Sequence, residues 1–164
     1  MESGDRQTVF SPDRLLRYVL WRQWDYLTAA ARRYAMFIGL NPSTADETQN
    51  DPTIRRCIDF AKRWGCGALC MTNLFAYRAT NPRTMMGYPR PVGAENDAWI
   101  VRCAREANVV VAAWGTHGRF MARDEDVMKL LDNVQCLGVN ADGTPRHPLY
   151  VRRDVELIDY EGAA

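Results

Sequence analysis

Tyr34-Ala-Met-Phe-Ile38, followed by Gly39-Leu-Asn-Pro-Ser43, is the stretch of sequence that decides the fold. A continuous apolar run ended by glycine is typical of a strand that is buried on both faces, as in a parallel sheet. Three further runs have a similar character, and we expect them to be strands too: residues 68–72, 109–114 and 134–137.

Helical patterns separate these runs. Asp51 and Pro52 are an N-cap residue and a first-turn proline, so they predict a helix start. Further helices are predicted over residues 94–107 and 120–131, and a long loop over residues 75–93. Strands that alternate with helices predict an α/β fold, a three-layer α/β/α sandwich around a mainly parallel four-stranded sheet. We expect one domain over residues 1–164.

The beginning of the chain fits the pattern less clearly. Residues 1–15 are predicted to be a loose entry segment. Residues 16–24 fit either a strand that forms a hairpin with the next strand or a helix, and we favour the strand. The sheet is therefore expected to carry an N-terminal addition, a hairpin or a helix.

Composition excludes several classes of protein. The net charge of +1 excludes a strongly basic nucleic-acid-coating protein, although it leaves room for a local basic face. The apolar runs are too short to cross a membrane and the first residues do not resemble a secretory signal, so we expect a cytoplasmic protein without a membrane partner. The five cysteines include no Cys-x-x-Cys pair, which excludes a disulfide framework and a zinc module. We expect no metal and no cofactor.

Polar residues follow the predicted strands where those strands end. In parallel sheets, ligands bind beyond the carboxyl ends of the strands, so these residues are expected to converge: Asn41, Ser43, Asn73, His117 and His147. Each of them also fits a plain turn or cap role. One of Asp46, Glu47 and Asp51 fits a general base or a metal ligand. The alternatives are a solvated acidic loop, which we favour for Glu47, and a helix cap for Asp51.

Several of these motifs together resemble a bacterial and phage family catalogued as a domain of unknown function, number 1643. The resemblance covers almost the whole chain, and its name carries no activity. The motifs are Gly39-Leu-Asn-Pro-Ser-Thr-Ala-Asp46, Asp51-Pro-Thr53, Asn73-Leu-Phe-Ala-Tyr-Arg-Ala-Thr80, Gly93-Ala-Glu-Asn-Asp97, Trp114-Gly-Thr-His117 and His147-Pro-Leu-Tyr150.

A more distant resemblance is to the uracil-DNA glycosylase superfamily. Gly39-Leu-Asn-Pro42 is similar to its first loop, Asn73 to its pyrimidine-reading residue, Trp114-Gly115 to its third element, and His147-Pro148 to its C-terminal histidine loop. The resemblance implies that Asn41 holds the attacking water, that Asn73 reads the base, and that His147 stabilises the departing base. The superfamily has a serine where this chain has Leu149.

From that resemblance, we expect a site for a nucleobase or nucleotide, with nucleic acid or a nucleotide as the partner. If the protein is an enzyme, hydrolysis of an N-glycosidic bond in DNA is the first expectation. Phe75 or Tyr77 would stack on the base, and Arg78 and Arg146 would contact phosphate. Two alternatives remain open: an enzyme acting on a modified pyrimidine without glycosidic cleavage, which Leu149 favours slightly, and a non-catalytic module for a nucleotide or a partner protein.

Overall fold

The fold is built on one seven-stranded sheet with the strand order β1-β2-β4-β3-β5-β6-β7. The computed structural model describes residues 6–163. Its strands are β1 (Val9–Phe10), β2 (Arg17–Gln23), β3 (Tyr34–Gly39), β4 (Ala68–Asn73), β5 (Val109–Ala112), β6 (Val134–Cys136) and β7 (Ile158–Asp159). Its α-helices are α1 (Pro52–Arg63), α2 (Pro82–Met86), α3 (Asn96–Ala104) and α4 (Arg123–Met128).

The centre of the sheet is parallel. Strands β4, β3, β5 and β6 pair in parallel, and they correspond to the four predicted runs. Gly39 is the register partner of Asn73, so β3 and β4 end level with each other. This alignment places the residues that follow both strands at one edge of the sheet.

The sheet is larger than the four strands predicted, and it is mixed. Antiparallel β2 and β1 extend it on one side, and antiparallel β7 extends it on the other. The sequence did not reveal β1 and β7 because strands of two residues carry no measurable periodicity. Strand β1 lies within the segment expected to be loose, and residues 1–5 of that segment lie outside the described range.

Residues 16–24 contain a strand, as favoured, but its pairing differs from the expected hairpin with the next strand. Strand β2 runs antiparallel to β4, with Leu20 opposite Met71. It cannot pair with β3, because both edges of β3 are already occupied by β4 and β5. Because β2 is antiparallel, its first residues lie at the edge where the parallel strands end.

The helices follow the predicted order with different lengths. Helix α1 begins as predicted, since the Asp51 carboxylate accepts a hydrogen bond from the backbone nitrogen of Ile54 at 2.9 Å. Helix α3 is shorter than residues 94–107. The helix predicted over residues 120–131 begins only at Arg123, because Met121 and Ala122 have φ values of 57° and 51°, which interrupt helical geometry. Residues 116–122, which precede it, form 3₁₀ turns that are interrupted by non-helical backbone angles at Phe120 and Met121.

The predicted long loop after β4 is partly helical. It contains α2, which is capped by Asn81: the side-chain oxygen accepts a hydrogen bond from the backbone nitrogen of Arg83 at 2.9 Å. Asn81-Pro82 begins this helix in the same way as Asp51-Pro52 begins α1, with a capping side chain followed by a proline. The helix has only five residues, however, which are too few to show a periodic apolar face.

Helices cover both faces of the sheet, as an α/β/α arrangement requires. Alternate residues of β3 enter two separate apolar clusters, Met36 in one and Phe37 in the other. The first cluster includes Ile100 of α3, and the second includes Ile54 of α1. The core therefore fixes the orientation of β3 and β4, whose ends carry the site.

Among residues 6–163, no helix is long and apolar enough to cross a membrane.

Candidate functional site

A cleft of about 560 Å³ opens where the parallel strands end. Its walls come from the loop after β3, the first turn of α1, the end of β4, the turn after β5 and the loop that carries His147. Among the lining residues are five that the sequence analysis singled out: Asn41, Ser43, Asn73, His117 and His147. Segments far apart in the sequence thus meet around one space.

Asn73, the last residue of β4, has a buried side-chain nitrogen that no described residue satisfies. The residue is 2% exposed, and within residues 6–163 its buried Nδ2 has no hydrogen-bond partner. Its backbone oxygen, by contrast, accepts a hydrogen bond from Nδ2 of Asn96 at 2.9 Å. An unpaired buried polar group costs about 1–3 kcal/mol. A ligand that pairs with this amide would recover that free energy.

Asn41 is held with its oxygen free. Its Nδ2 donates to the backbone oxygens of Pro42 at 3.1 Å and of Ala79 at 2.8 Å. Its Oδ1 accepts no hydrogen bond from any of the described residues. The side chain is therefore fixed in orientation and offers an acceptor in a cleft-lining position, which is what the positioning of a water molecule requires.

His147 caps the 3₁₀ turn Pro148–Tyr150, and this role fixes its tautomer. Its Nδ1 accepts a hydrogen bond from the backbone nitrogen of Leu149 at 3.2 Å. A nitrogen that accepts carries no proton, so in the neutral ring the proton is assigned to Nε2. Burial lowers the pKa of His147, and the Asp51 carboxylate opposes this effect in part. The neutral ring thus keeps one N–H donor, at Nε2, and His147 is among the residues that line the cleft.

The turn after β5 and Tyr150 complete the outer part of the cleft. His117 is exposed in the turn after β5. Gly115 begins that turn with φ of 73°, and its backbone nitrogen donates to the oxygen of Pro145 at 3.0 Å. This bond ties the turn to the His147 loop. Tyr150 is 82% exposed, and its ring centre lies 5.6 Å from that of His147.

The two aromatic residues expected to stack on a base lie elsewhere. Phe75 is completely buried, with its ring centre 5.6 Å from that of Phe120. Tyr77 stacks on Tyr88 at 3.8 Å. Neither residue lines the cleft. Their nearness to Asn73 in sequence did not reveal that the chain turns their side chains into other contacts.

The two arginines expected to contact phosphate also lie outside the cleft lining. Arg78 donates to the backbone oxygen of Arg14 at 3.2 Å. Arg146 donates from Nε to the backbone oxygen of Val139 at 3.2 Å. Both guanidinium groups hold surface loops together.

The acidic residues separate into two roles. Asp46 organises its own loop, because its Oδ1 accepts hydrogen bonds from the backbone nitrogens of Thr48 and Gln49 at 2.9 and 2.8 Å. Asp51 caps α1 and also lines the cleft. Within the described part of the chain, no group of three or more His, Cys, Asp or Glu side chains is arranged to hold a metal ion.

Sequence reasoning missed Arg17, the first residue of β2. It lines the cleft and is only 2% exposed. Its Nη1 donates to the backbone oxygen of Ala45 at 2.8 Å, whereas its Nε has no partner. Burial lowers the pKa of Arg17 to about 10. The available signal was an arginine directly before the apolar residues 18–21, but its position at the cleft depends on the antiparallel direction of β2.

Fold and site together define an α/β protein with a cleft at the carboxyl ends of its parallel strands. The chain belongs to a family described as "Protein of unknown function (DUF1643)", whose family model matches residues 17–149. The matched segment begins at Arg17 and extends past His147. No curated protein and no solved structure matches the chain.

Proposed function

We propose that the cleft binds a nucleobase, as part of a nucleotide or a nucleic acid strand, and that the protein hydrolyses the N-glycosidic bond of the bound nucleotide. The observation that carries the proposal is the buried, unpaired Nδ2 of Asn73 in a cleft shared with Asn41 and His147. The resemblance of the same motifs to uracil-DNA glycosylases supports it. The cleft volume of about 560 Å³ lies in the range of small-molecule sites.

Asn73 supplies base recognition. A carboxamide has an acceptor oxygen and two N–H donors, so it can pair with the adjacent carbonyl and N–H groups of a pyrimidine. Because Nδ2 has no competing partner among the described residues, it is available to the ligand. Bases that present the wrong pattern would leave a buried polar group unpaired, which is a strong basis for selectivity.

His147 and Asn41 supply the chemistry. In hydrolysis, the oxygen of water bonds to C1′ of the sugar while the C1′–N bond breaks and its electron pair remains on the base. The proton that the water loses ends on the released base, which leaves as a neutral molecule. The Nε2–H of neutral His147 donates a hydrogen bond to the base as negative charge develops. The free Oδ1 of Asn41 accepts a hydrogen bond from the attacking water.

Tyr150 provides an aromatic surface at the cleft. Its ring is largely exposed and close to His147, whereas Phe75 and Tyr77 are committed to other contacts. A base that leaves the stack of a duplex loses stacking energy, and contact with an aromatic ring replaces part of it. We therefore assign the stacking role to Tyr150.

The test is a base-release assay combined with a thermal-shift screen. The substrates are single and double strands containing uracil, hypoxanthine or a modified pyrimidine, and the screen adds bases, nucleosides and nucleotides. We expect release of free base from at least one strand and a raised melting temperature with a matching ligand. Neither release nor stabilisation with any of them would contradict the proposal.

A second candidate is a site that binds the same ligands without cleaving them. Leu149 stands where the superfamily has a serine, two residues after the histidine, and this departure favours binding without cleavage. Stabilisation by a nucleotide or strand, without release of base, would support this candidate over hydrolysis.

A further inference from the structure

We propose that the cleft binds its ligand with a phosphate group against Arg17, so that it selects a nucleotide over a free base or nucleoside. This inference rests on the proposed function, in which Asn73 reads the base. It adds the charged group that the ligand must carry and the residue that receives it.

Arg17 is a buried cation without an anionic partner. Within residues 6–163, its guanidinium group donates one hydrogen bond, to the carbonyl of Ala45, and forms no ion pair with a carboxylate. A buried charge that lacks a counter-ion is strongly unfavourable. An anionic ligand group in the cleft would provide the missing partner.

A second buried arginine shows how this fold compensates such a charge when the arginine is structural. Arg123 is 4% exposed, yet it forms an ion pair with Asp97 and donates from Nε to the backbone oxygen of Leu74 at 2.8 Å. Its charge and its Nε are therefore both satisfied. Arg17 is as deeply buried but lacks both compensations, and it lies at the cleft.

The charges around Arg17 favour the binding of an anion. The pKa of Arg17 is lowered by burial and by the nearby guanidinium groups of Arg78 and Arg22, while Asp51 and Asp46 raise it. Neither carboxylate is free, because Asp51 caps α1 and Asp46 accepts hydrogen bonds within its own loop. The positive charge of the three arginines is thus only partly neutralised by these two carboxylates.

Phosphate fits this environment and the base site together. A guanidinium group can match two phosphate oxygens, which makes arginine well suited to phosphate recognition. The backbone nitrogen of Arg17 bonds to the oxygen of Ala76 at 2.9 Å, three residues after Asn73, so both side chains belong to the same edge of the sheet. A ligand that places a base at Asn73 and a phosphate at Arg17 is a nucleotide, either free or within a strand.

The experiment compares matched ligands by calorimetry on the full-length protein. The ligands are deoxyuridine and thymidine, their 3′- and 5′-monophosphates, and short single strands that contain the same nucleotide. For the wild type, we expect at least one phosphorylated ligand to bind about tenfold or more tightly than its nucleoside, because only the phosphorylated ligand forms charge-assisted hydrogen bonds with Arg17. Free nucleotides and strands distinguish the two sources of the phosphate.

Two Arg17 variants and one control complete the design. Arg17→Met should abolish the preference for phosphorylated ligands, and Arg17→Lys should keep part of it. Arg123→Met removes a buried arginine of similar size, and it should lower the melting temperature without changing the preference. If Arg17→Met does not fold, Arg17→Lys and the wild-type comparison still decide the question.

Each outcome has a distinct meaning. Equal binding of nucleoside and nucleotide by the wild type overturns the assignment of Arg17 and leaves base recognition intact. A preference that persists in Arg17→Met also overturns it. If no nucleoside, nucleotide or strand binds at all, the proposed function fails, and this inference fails with it.

Discussion

Gly39 and Asn73 are register partners across β3 and β4, and a Cβ atom on Gly39 would lie 2.8 Å from Oδ1 of Asn73. The same atom would lie 2.8 Å from the terminal methyl group of Met71. Real Cβ atoms essentially never approach other atoms this closely. The missing side chain of one residue therefore makes room for the amide of the other.

We expect Gly39→Ala to displace the Asn73 side chain and to lower stability by about 1–3 kcal/mol, the usual cost of overpacking. Discrimination among bases should weaken as well, because the amide moves. Chemical denaturation and the ligand comparison measure the two effects. Gly87→Ala is the matched control, since its added Cβ would meet only ordinary contacts at 3.6 and 3.7 Å. Equal behaviour of the two variants would contradict the prediction.

The second prediction concerns the two histidines of the cleft. His147→Ala should reduce base release about a hundredfold, because loss of one preorganised donor to a developing anion costs on the order of 3 kcal/mol. Ligand affinity should change little, since that bond strengthens mainly in the transition state. His117→Ala is the control and should retain the wild-type rate. A large loss with His117→Ala and none with His147→Ala would reverse the assignment of the donor.

The third prediction is a pH dependence of stability. Because the pKa of His147 is lower in the folded protein than its usual value of 6.5, the unfolded chain binds the proton more tightly. The stability that neutral His147 confers is therefore fully present above pH 6.5. It is lost as the pH falls from there through the lower pKa of His147 in the folded protein. Protonation of Nδ1 would also remove the bond from Leu149.

Urea unfolding at pH 7.5 and 5.5 measures this effect. The wild type and His117→Gln should both lose stability on acidification, and His147→Gln should lose less. If His147→Gln lost as much as the wild type, His147 would not be the group responsible.

The fourth prediction concerns Asn96, which positions the end of β4. Its Nδ2 donates to the backbone oxygens of Asn73 and Leu74 at 2.9 and 3.0 Å, in a completely buried position. Asn96→Ala removes both bonds and should lower the free energy of unfolding by about 2–3 kcal/mol.

Asn140→Ala is the comparison for Asn96→Ala. This side chain makes one bond, to the Thr144 hydroxyl at 3.1 Å, and it is only partly buried. We expect a loss of about 1 kcal/mol or less by thermal or urea unfolding. A smaller effect for Asn96→Ala than for Asn140→Ala would contradict the positioning role.

The parallel strands and α1 could be predicted from the sequence because their signals are local. An apolar run that ends in Gly39 and a cap formed by Asp51 and Pro52 need no knowledge of distant contacts. The same reasoning placed Asn41, Asn73 and His147 at strand ends or in stiff loops. Their meeting in one cleft follows from the parallel direction of the strands.

The remaining features depend on contacts that spacing does not encode. Arg17 lies in the cleft only because β2 is antiparallel to β4, and nothing in residues 16–24 specifies that partner. Phe75 and Tyr77 are adjacent in sequence to the strand end, but packing against Phe120 and Tyr88 decides where they point. The positions of Arg78 and Arg146 could not be predicted for the same reason, since each side chain donates to a backbone oxygen outside the cleft lining.

The walls of the cleft come from segments spread along most of the chain, from Arg17 to Tyr150. No single loop can therefore open and expose a bound ligand's entire site while the rest of the sheet stays folded. Ligand binding should add its free energy to the global opening reaction. In hydrogen-exchange experiments, the slowest amides of β3, β4 and β5 would then gain protection together, far from any atom that touches the ligand.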